Sequence, residues 1–192
     1  TITLTRTRTT SGRRTNSNAE SLTCSRYPKA SLPCIARGHF CVDNDNAAIG
    51  LSPLFSKEPG FANALVQNIA SGNTMLFNNA ARKLLLAAGE NVDVVVDDWW
   101  VYLVVSGCGG KVLYDPYLSL RYRQHDQNLI GRSPIWANRL SRLRSYWSGD
   151  FERCNDRNIG ALQRIEKWLT PQNYETLRRF SSARQQPMLP RL

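Results

Sequence analysis

The chain has 192 residues with a formal net charge of +10, and 42% of them are hydrophobic. That is length for one medium domain with an extension and apolar content for a core, and five Trp and seven Tyr argue against wholesale disorder. The longest apolar run, near Val101, is far too short to span a bilayer, and nothing at the beginning resembles a signal peptide.

The charge is unevenly placed. Residues 1–41 carry seven basic residues against the single acid Glu20, while the other 151 carry eighteen basic and fourteen acidic residues, an ordinary surface. This first segment is rich in Thr, Ser and Arg, has little helical or strand periodicity, and reads as a disordered basic arm. Cys24, Cys34, Cys41, Cys108 and Cys154 are odd in number and lack metal spacing, so they read as reduced thiols.

From Val42 the texture changes. Ile49 to Phe55 is a short extended run ending at a turn. Phe61, Leu65 and Ile69 fall at helical spacing, and Gly72-Asn73-Thr74 reads as a glycine turn leading into a strand at Met75 to Asn78. Ala80 to Ala88 predicts a helix that stops at Gly89. The β-branched Val92 to Val96 then leads to Asp97-Asp98-Trp99-Trp100 at the head of an apolar helix. Ser106 to Gly110 is a helix-to-strand turn rather than a phosphate loop, since no helix starts after it. Lys111 to Tyr114 is strand-like and precedes the basic, imidazole-bearing tip Tyr122-Arg123-Gln124-His125. Beyond about Arg132 the chain is helical and basic: Phe151, Cys154, Asn158, Leu162, Ile165 and Leu169 recur at helical spacing, Pro171 follows as a stop, and a short helix through Tyr174, Leu177 and Phe180 comes next.

Several residues in this order bear chemistry. A carboxylate at the mouth of a buried helix can take a proton from a substrate hydroxyl, and a histidine after a strand can hold a metal or a phosphate. Asp97 and Asp98 equally fit a cap and first-turn acid of the helix they precede. Trp99 and Trp100 can stack on a sugar ring or belong to the core.

Four pieces in one order carry a resemblance. They are Asn63 to Asn68 followed by Gly72 to Asn78; Asp97-Asp98-Trp99-Trp100; Tyr122 to His125 with Asn128 and Gly131; and the helical Phe151 to Leu162 with Asn155, Asp156 and Asn158. Residues 42–169 resemble the C-terminal half of a family 2 GT-A glycosyltransferase of the rhamnosyltransferase-like branch. Where that family usually has His-Asp before the tryptophans, this chain has Asp97-Asp98. The resemblance implies an α/β fold: a partial, Rossmann-like GT-A domain over residues 42–135, followed by a helical extension and frayed tail over 136–192. It implies a bacterial transferase that moves a sugar, rhamnose in that branch, from a nucleotide-diphosphate donor to a glycan or lipid-linked acceptor in cell-surface polysaccharide synthesis. Its place would be the cytoplasm, at the inner face of the membrane.

The resemblance also assigns roles. Asp98 corresponds to the base that deprotonates the acceptor hydroxyl, with Asp97 tuning it through like charge. Gly72, Asn73 and Thr74 would wall the donor and acceptor, Trp99 would meet a sugar, and Arg123 and Gln124 would hold the diphosphate. His125 would approach a divalent cation, Mg²⁺ or Mn²⁺, that neutralises the leaving group. The family places an acidic metal motif in its first half, whereas residues 1–41 contain no Asp. Read one base out of phase, permitted codons for Thr3 to Arg14 spell an acidic run ending in Asp-Asp-Val-Trp, and those for Leu32 to His39 spell an apolar strand. The charge step, the missing acids and the lost periodicity together predict a changed reading phase through residues 1–41, restored near Cys41–Val42, and a chain that is truncated and inactive. The alternatives are a basic nucleic-acid-binding protein, resting on net charge alone and hence not expected, and a non-catalytic module at the membrane periphery, resting on the basic helices after Arg132.

Overall fold

The computed structural model of the chain describes residues 3–4, 34–123 and 150–186. They form an α/β unit in which helices lie against a small mixed sheet. No helix among the described residues is long and apolar enough to cross a membrane.

The sheet is organised around β2 (Cys34–Val42). Its first residues are short and apolar, Cys34, Ile35 and Ala36, and all are buried. Burial pushes the Cys34 thiol up to about 12, so it stays protonated and serves as packing rather than as a nucleophile. One edge of β2 pairs in parallel with β5 (Val112–Arg123) from Cys34↔Val112 to Val42↔Arg123. The other edge is shared by two antiparallel strands: β4 (Leu76–Phe77) opposite Cys34 and Ile35, and β3 (Ala48–Leu51) opposite Phe40 to Val42. The two-residue β1 (Thr3–Leu4) pairs with β4. The β2–β5 register slips at Arg37/Gly38, where β5 carries Pro116, a residue that cannot donate to a ladder.

β2 crosses the expected boundary at Cys41–Val42. Residues 34–41, assigned from composition to the basic arm, are instead the first eight positions of the central strand. A nine-residue strand needs only an extended backbone and apolar side chains on its buried positions, and net charge is a poor guide to either. β5 is likewise longer than the expected Lys111–Tyr114.

The helices follow from local chemistry. α1 (Phe61–Ala64) is one turn, shorter than the Phe61–Leu65–Ile69 spacing suggests. In α2 (Asn79–Ala88), Asn78 caps the start by accepting from the Ala81 N–H, and Gly89 ends it at φ +98°, a left-handed conformation that glycine adopts freely. α3 (Asp97–Gly107) is apolar all round and therefore central: Trp99, Trp100 and every residue from Tyr102 to Gly107 are buried. α4 (Asp150–Arg164) and α5 (Pro171–Gln185) are joined by a 3₁₀ turn at Glu166–Trp168. α5 starts with Thr170 as N-cap and Pro171 in its first turn, so the residue expected to stop one helix opens the next. Asn173 of α5 donates to the carbonyls of Ser106 and Gly107, both at 3.0 Å, which satisfies two end carbonyls of α3 and docks α5 on them.

Candidate functional site

The turn before β4 and the head of α3 meet at one side chain. The N-cap position of α3 is Val96, which has no side chain to cap with, so Asp97 and Asp98 are the first two helical residues and neither is the cap. Asp97 is exposed. Asp98 is half-buried and bends back over the 68–72 loop. Its Oδ2 accepts from the backbone N–H of Gly72 at 2.8 Å, and its Oδ1 accepts from Asn68 Nδ2 at 2.7 Å. The Trp99 N–H also acts on the carboxylate. Burial raises the Asp98 carboxyl above its ordinary value; the hydrogen bonds from Gly72, Asn68 and Trp99 pull the other way, and the Asp97 charge adds slightly to the rise.

Gly72 fits close to this carboxylate. A Cβ placed on it would meet Asp98 Oδ2 at 3.5 Å, an ordinary contact, so the backbone could approach with an alanine as well. The rest of the turn is fixed from two sides. Thr74 is buried and donates to the Arg37 carbonyl at 2.8 Å, which ties the turn to the middle of β2. The Ser71 hydroxyl donates to Asn73 Oδ1 at 2.6 Å, a bond within the turn. Gly72 and Asp98 are therefore joined directly, with Asn73 beside Gly72 in the same turn, while the Thr74 hydroxyl is turned inward to the Arg37 and Ser71 carbonyls.

Trp99 is not part of this surface. It is 7% exposed, and its indole N–H donates to the Ala64 carbonyl at 2.7 Å. The ring is committed to the core beside α1, which corrects its assignment as a sugar platform. A buried indole needs an acceptor, and Ala64 supplies one inside the protein.

Arg123 stands elsewhere, at the last position of β5 opposite Val42. This is the carboxyl end of the parallel β2–β5 pair, the edge at which open α/β sheets receive ligands. Gln124 and His125 follow immediately and lie outside the described residues. Among the described residues, no three His, Cys, Asp or Glu side chains converge where an ion could sit.

Three features had no role assigned to them from the sequence. Asn68 is one. The buried Arg37, paired with Asp115 at 3.0 Å and stacked over Tyr117 at 5.7 Å, is another; such a pair is visible only once β2 and β5 lie side by side. The third is His39, whose ring lies 5.2 Å from that of Tyr122 and whose burial lowers its pKa. A groove of about 420 Å³ also lies at the far end of α3, lined by Phe55, Lys57, Glu58, Ser106, Lys111 and Tyr114 among others. Eight residues of helix, about 12 Å at 1.5 Å each, separate Ser106 from Asp98, so this groove is not where the carboxylate works. No family model, no curated protein and no solved structure matches the chain.

Proposed function

We propose that the chain derives from a glycosyltransferase that moves a sugar, rhamnose in the branch it resembles, from a nucleotide-diphosphate donor to a glycan or lipid-linked acceptor. Residues 42–123 supply the acceptor-side half of its site. The observation that carries the reading is Asp98: a half-buried carboxylate, raised by burial, held by Gly72 and Asn68 beside a polar turn. Such a group can accept the proton of an acceptor hydroxyl as its oxygen bonds to the anomeric carbon and the bond from that carbon to the diphosphate breaks. Arg123, at the carboxyl end of the parallel strands, suits the departing diphosphate, and Gln124 and His125 would extend that end. The divalent cation and the place at the inner membrane face belong to this same proposal.

Because residues 1–41 offer no Asp for a metal motif, the chain as it stands should bind a nucleotide diphosphate weakly and turn over little. The test is sugar transfer from a panel of nucleotide sugars by a full-length version whose first 41 codons are read in the alternate phase. With Asp98→Asn, turnover should fall by about 10²–10⁴-fold while donor binding persists. Near-normal turnover in that variant would leave Asp98 as a clip between loop and helix and end the assignment. Tight, metal-dependent nucleotide binding by the unaltered chain, measured by titration calorimetry, would show that the donor site is built from other residues.

A further inference from the structure

Asn68 contacts the Asp98 carboxylate, and its geometry is more determined than that of an ordinary loop amide. Its Oδ1 accepts from the Ala70 N–H at 3.0 Å, two residues on in the same turn. That bond decides which end of the amide faces which way, so the Nδ2 end is turned to Asp98 Oδ1 at 2.7 Å. Gly72, from the same loop, takes the other oxygen. One five-residue turn therefore grips both oxygens of a carboxylate presented by a different element, α3.

We propose that Asn68 is a positioning residue for Asp98, holding the carboxylate in one orientation toward an acceptor hydroxyl. The inference rests on the base assignment made above. An ionised carboxylate has about four acceptor positions. Asn68 Nδ2 and Gly72 N take one position on each oxygen, which leaves room on the carboxylate for a substrate hydroxyl. Burial favours the protonated form of this carboxyl, and these donors favour the charged form that works as a base. Hydrogen bonds to a charged acceptor are the strong ones, so the amide is suited to this work in a way that an apolar residue is not. The other charged group acting on Asp98 is Asp97, one residue earlier on its own helix.

The experiment is a pH titration by nuclear magnetic resonance of the intact 192-residue chain, following the Asp98 carboxyl carbon, the Gly72 amide proton and the Asn68 side-chain protons. In the unaltered chain all three should move with one common midpoint. Asn68→Asp keeps an acceptor for Ala70 but replaces the donor with a charge, and it should shift the Asp98 midpoint to higher pH; Asn68→Ala should shift it the same way, by less. Asn73→Ala, in the same turn but off the carboxylate, should leave the midpoint where it was. If either Asn68 variant fails to fold, the common midpoint in the unaltered chain still decides. Side-chain protons of Asn68 that stay flat while Asp98 titrates, or a midpoint that no Asn68 variant moves, overturn the proposal. A shifted midpoint together with a complete enzyme indifferent to Asp98→Asn would leave Asn68 gripping Asp98 but sink the assignment of Asp98 as the base instead. In that complete enzyme, Asn68→Asp should also move the acidic limb of the kcat–pH profile upward, an effect that mere loosening of the loop would not produce.

Discussion

Replacing Asp98 with asparagine separates two effects that the structure places on one side chain. The first depends on pH. Burial holds the folded-state carboxyl above its ordinary value of 3.8. The stability this contributes is therefore fully present below the unfolded-state midpoint and is lost as pH rises through the folded one, because over that window the folded chain binds more protons than the unfolded chain. A single proton sets the limit on the slope, about 1.4 kcal/mol per pH unit within the window. The second effect is independent of pH. Asparagine offers one oxygen where aspartate offers two, while both Gly72 N–H and Asn68 Nδ2 need an acceptor. One donor is left facing an NH₂ group, at a cost of about 1 kcal/mol, the low end for an unpaired polar group because the site is only half-buried. The unaltered chain should thus exceed Asp98→Asn in stability most clearly near pH 3.5, with the gap narrowing toward pH 7, in reference to the usual carboxylate range. Urea unfolding of both proteins at half-unit steps of pH reads this directly, with equal m-values as the check that the denatured states match. A gap that stays constant would show that Asp98 titrates alike in both states. A gap that widens with pH would show that the three N–H donors outweigh burial, and the account of the site would be reversed.

Three further outcomes follow from other parts of the molecule. A Cβ on Gly107 would stand 2.8 Å from Leu169 Cδ2 and 2.9 Å from Phe61 Cε2, both side chains being buried; Gly107→Ala should cost about 1–2 kcal/mol net, overpacking offset in part by helix propensity, and an unchanged melting temperature would refute it. Asn158 on α4 is 4% exposed and has no hydrogen-bond partner for either amide atom among the described residues; Asn158→Leu should be neutral or stabilising by about 1 kcal/mol in urea unfolding, and a clear loss would mean that the amide is satisfied by other groups or by ordered water. The nucleotide sequence should carry, in the alternate phase through codons 1–41, an open frame spelling an Asp-rich motif and then an apolar strand; a stop codon in that phase would refute the expectation and restore the basic arm as a natural extension.

How far the sequence could be read depended on whether the signal was local. Asn78 and Gly89 bracket α2 because capping is decided within four residues, and both ends are where the pattern puts them. The buried helix after Asp97-Asp98 was legible for a similar reason: an unbroken apolar run needs burial on every side. β2 was not legible. Its strand character comes from β5 on one edge and from β3 and β4 on the other, partners up to 81 residues away in the Ser119–Gly38 contact, and no window of composition contains them. The charged Arg37 in the middle of that strand argued against burial until Asp115 could be seen opposite it at 3.0 Å.

The same division runs through the site. Which residue types could do chemistry was visible, since carboxylate and small-residue turn stand in a recognisable order; what each one touches was not. Asp98 and Asp97 are adjacent and chemically identical, yet one is exposed and the other is half-buried under three N–H donors. Trp99 and Trp100 are equally alike as letters, and only the Ala64 carbonyl 2.7 Å from the Trp99 indole shows that ring to be spoken for. The difference lies in the rotation of about 100° per residue along α3, which points neighbours into different surroundings. A functional reading of a short motif therefore gains or loses its force through the side chain's hydrogen-bond partners. For Asp98 those partners are supplied by Asn68 and Gly72, 30 and 26 residues earlier in the chain.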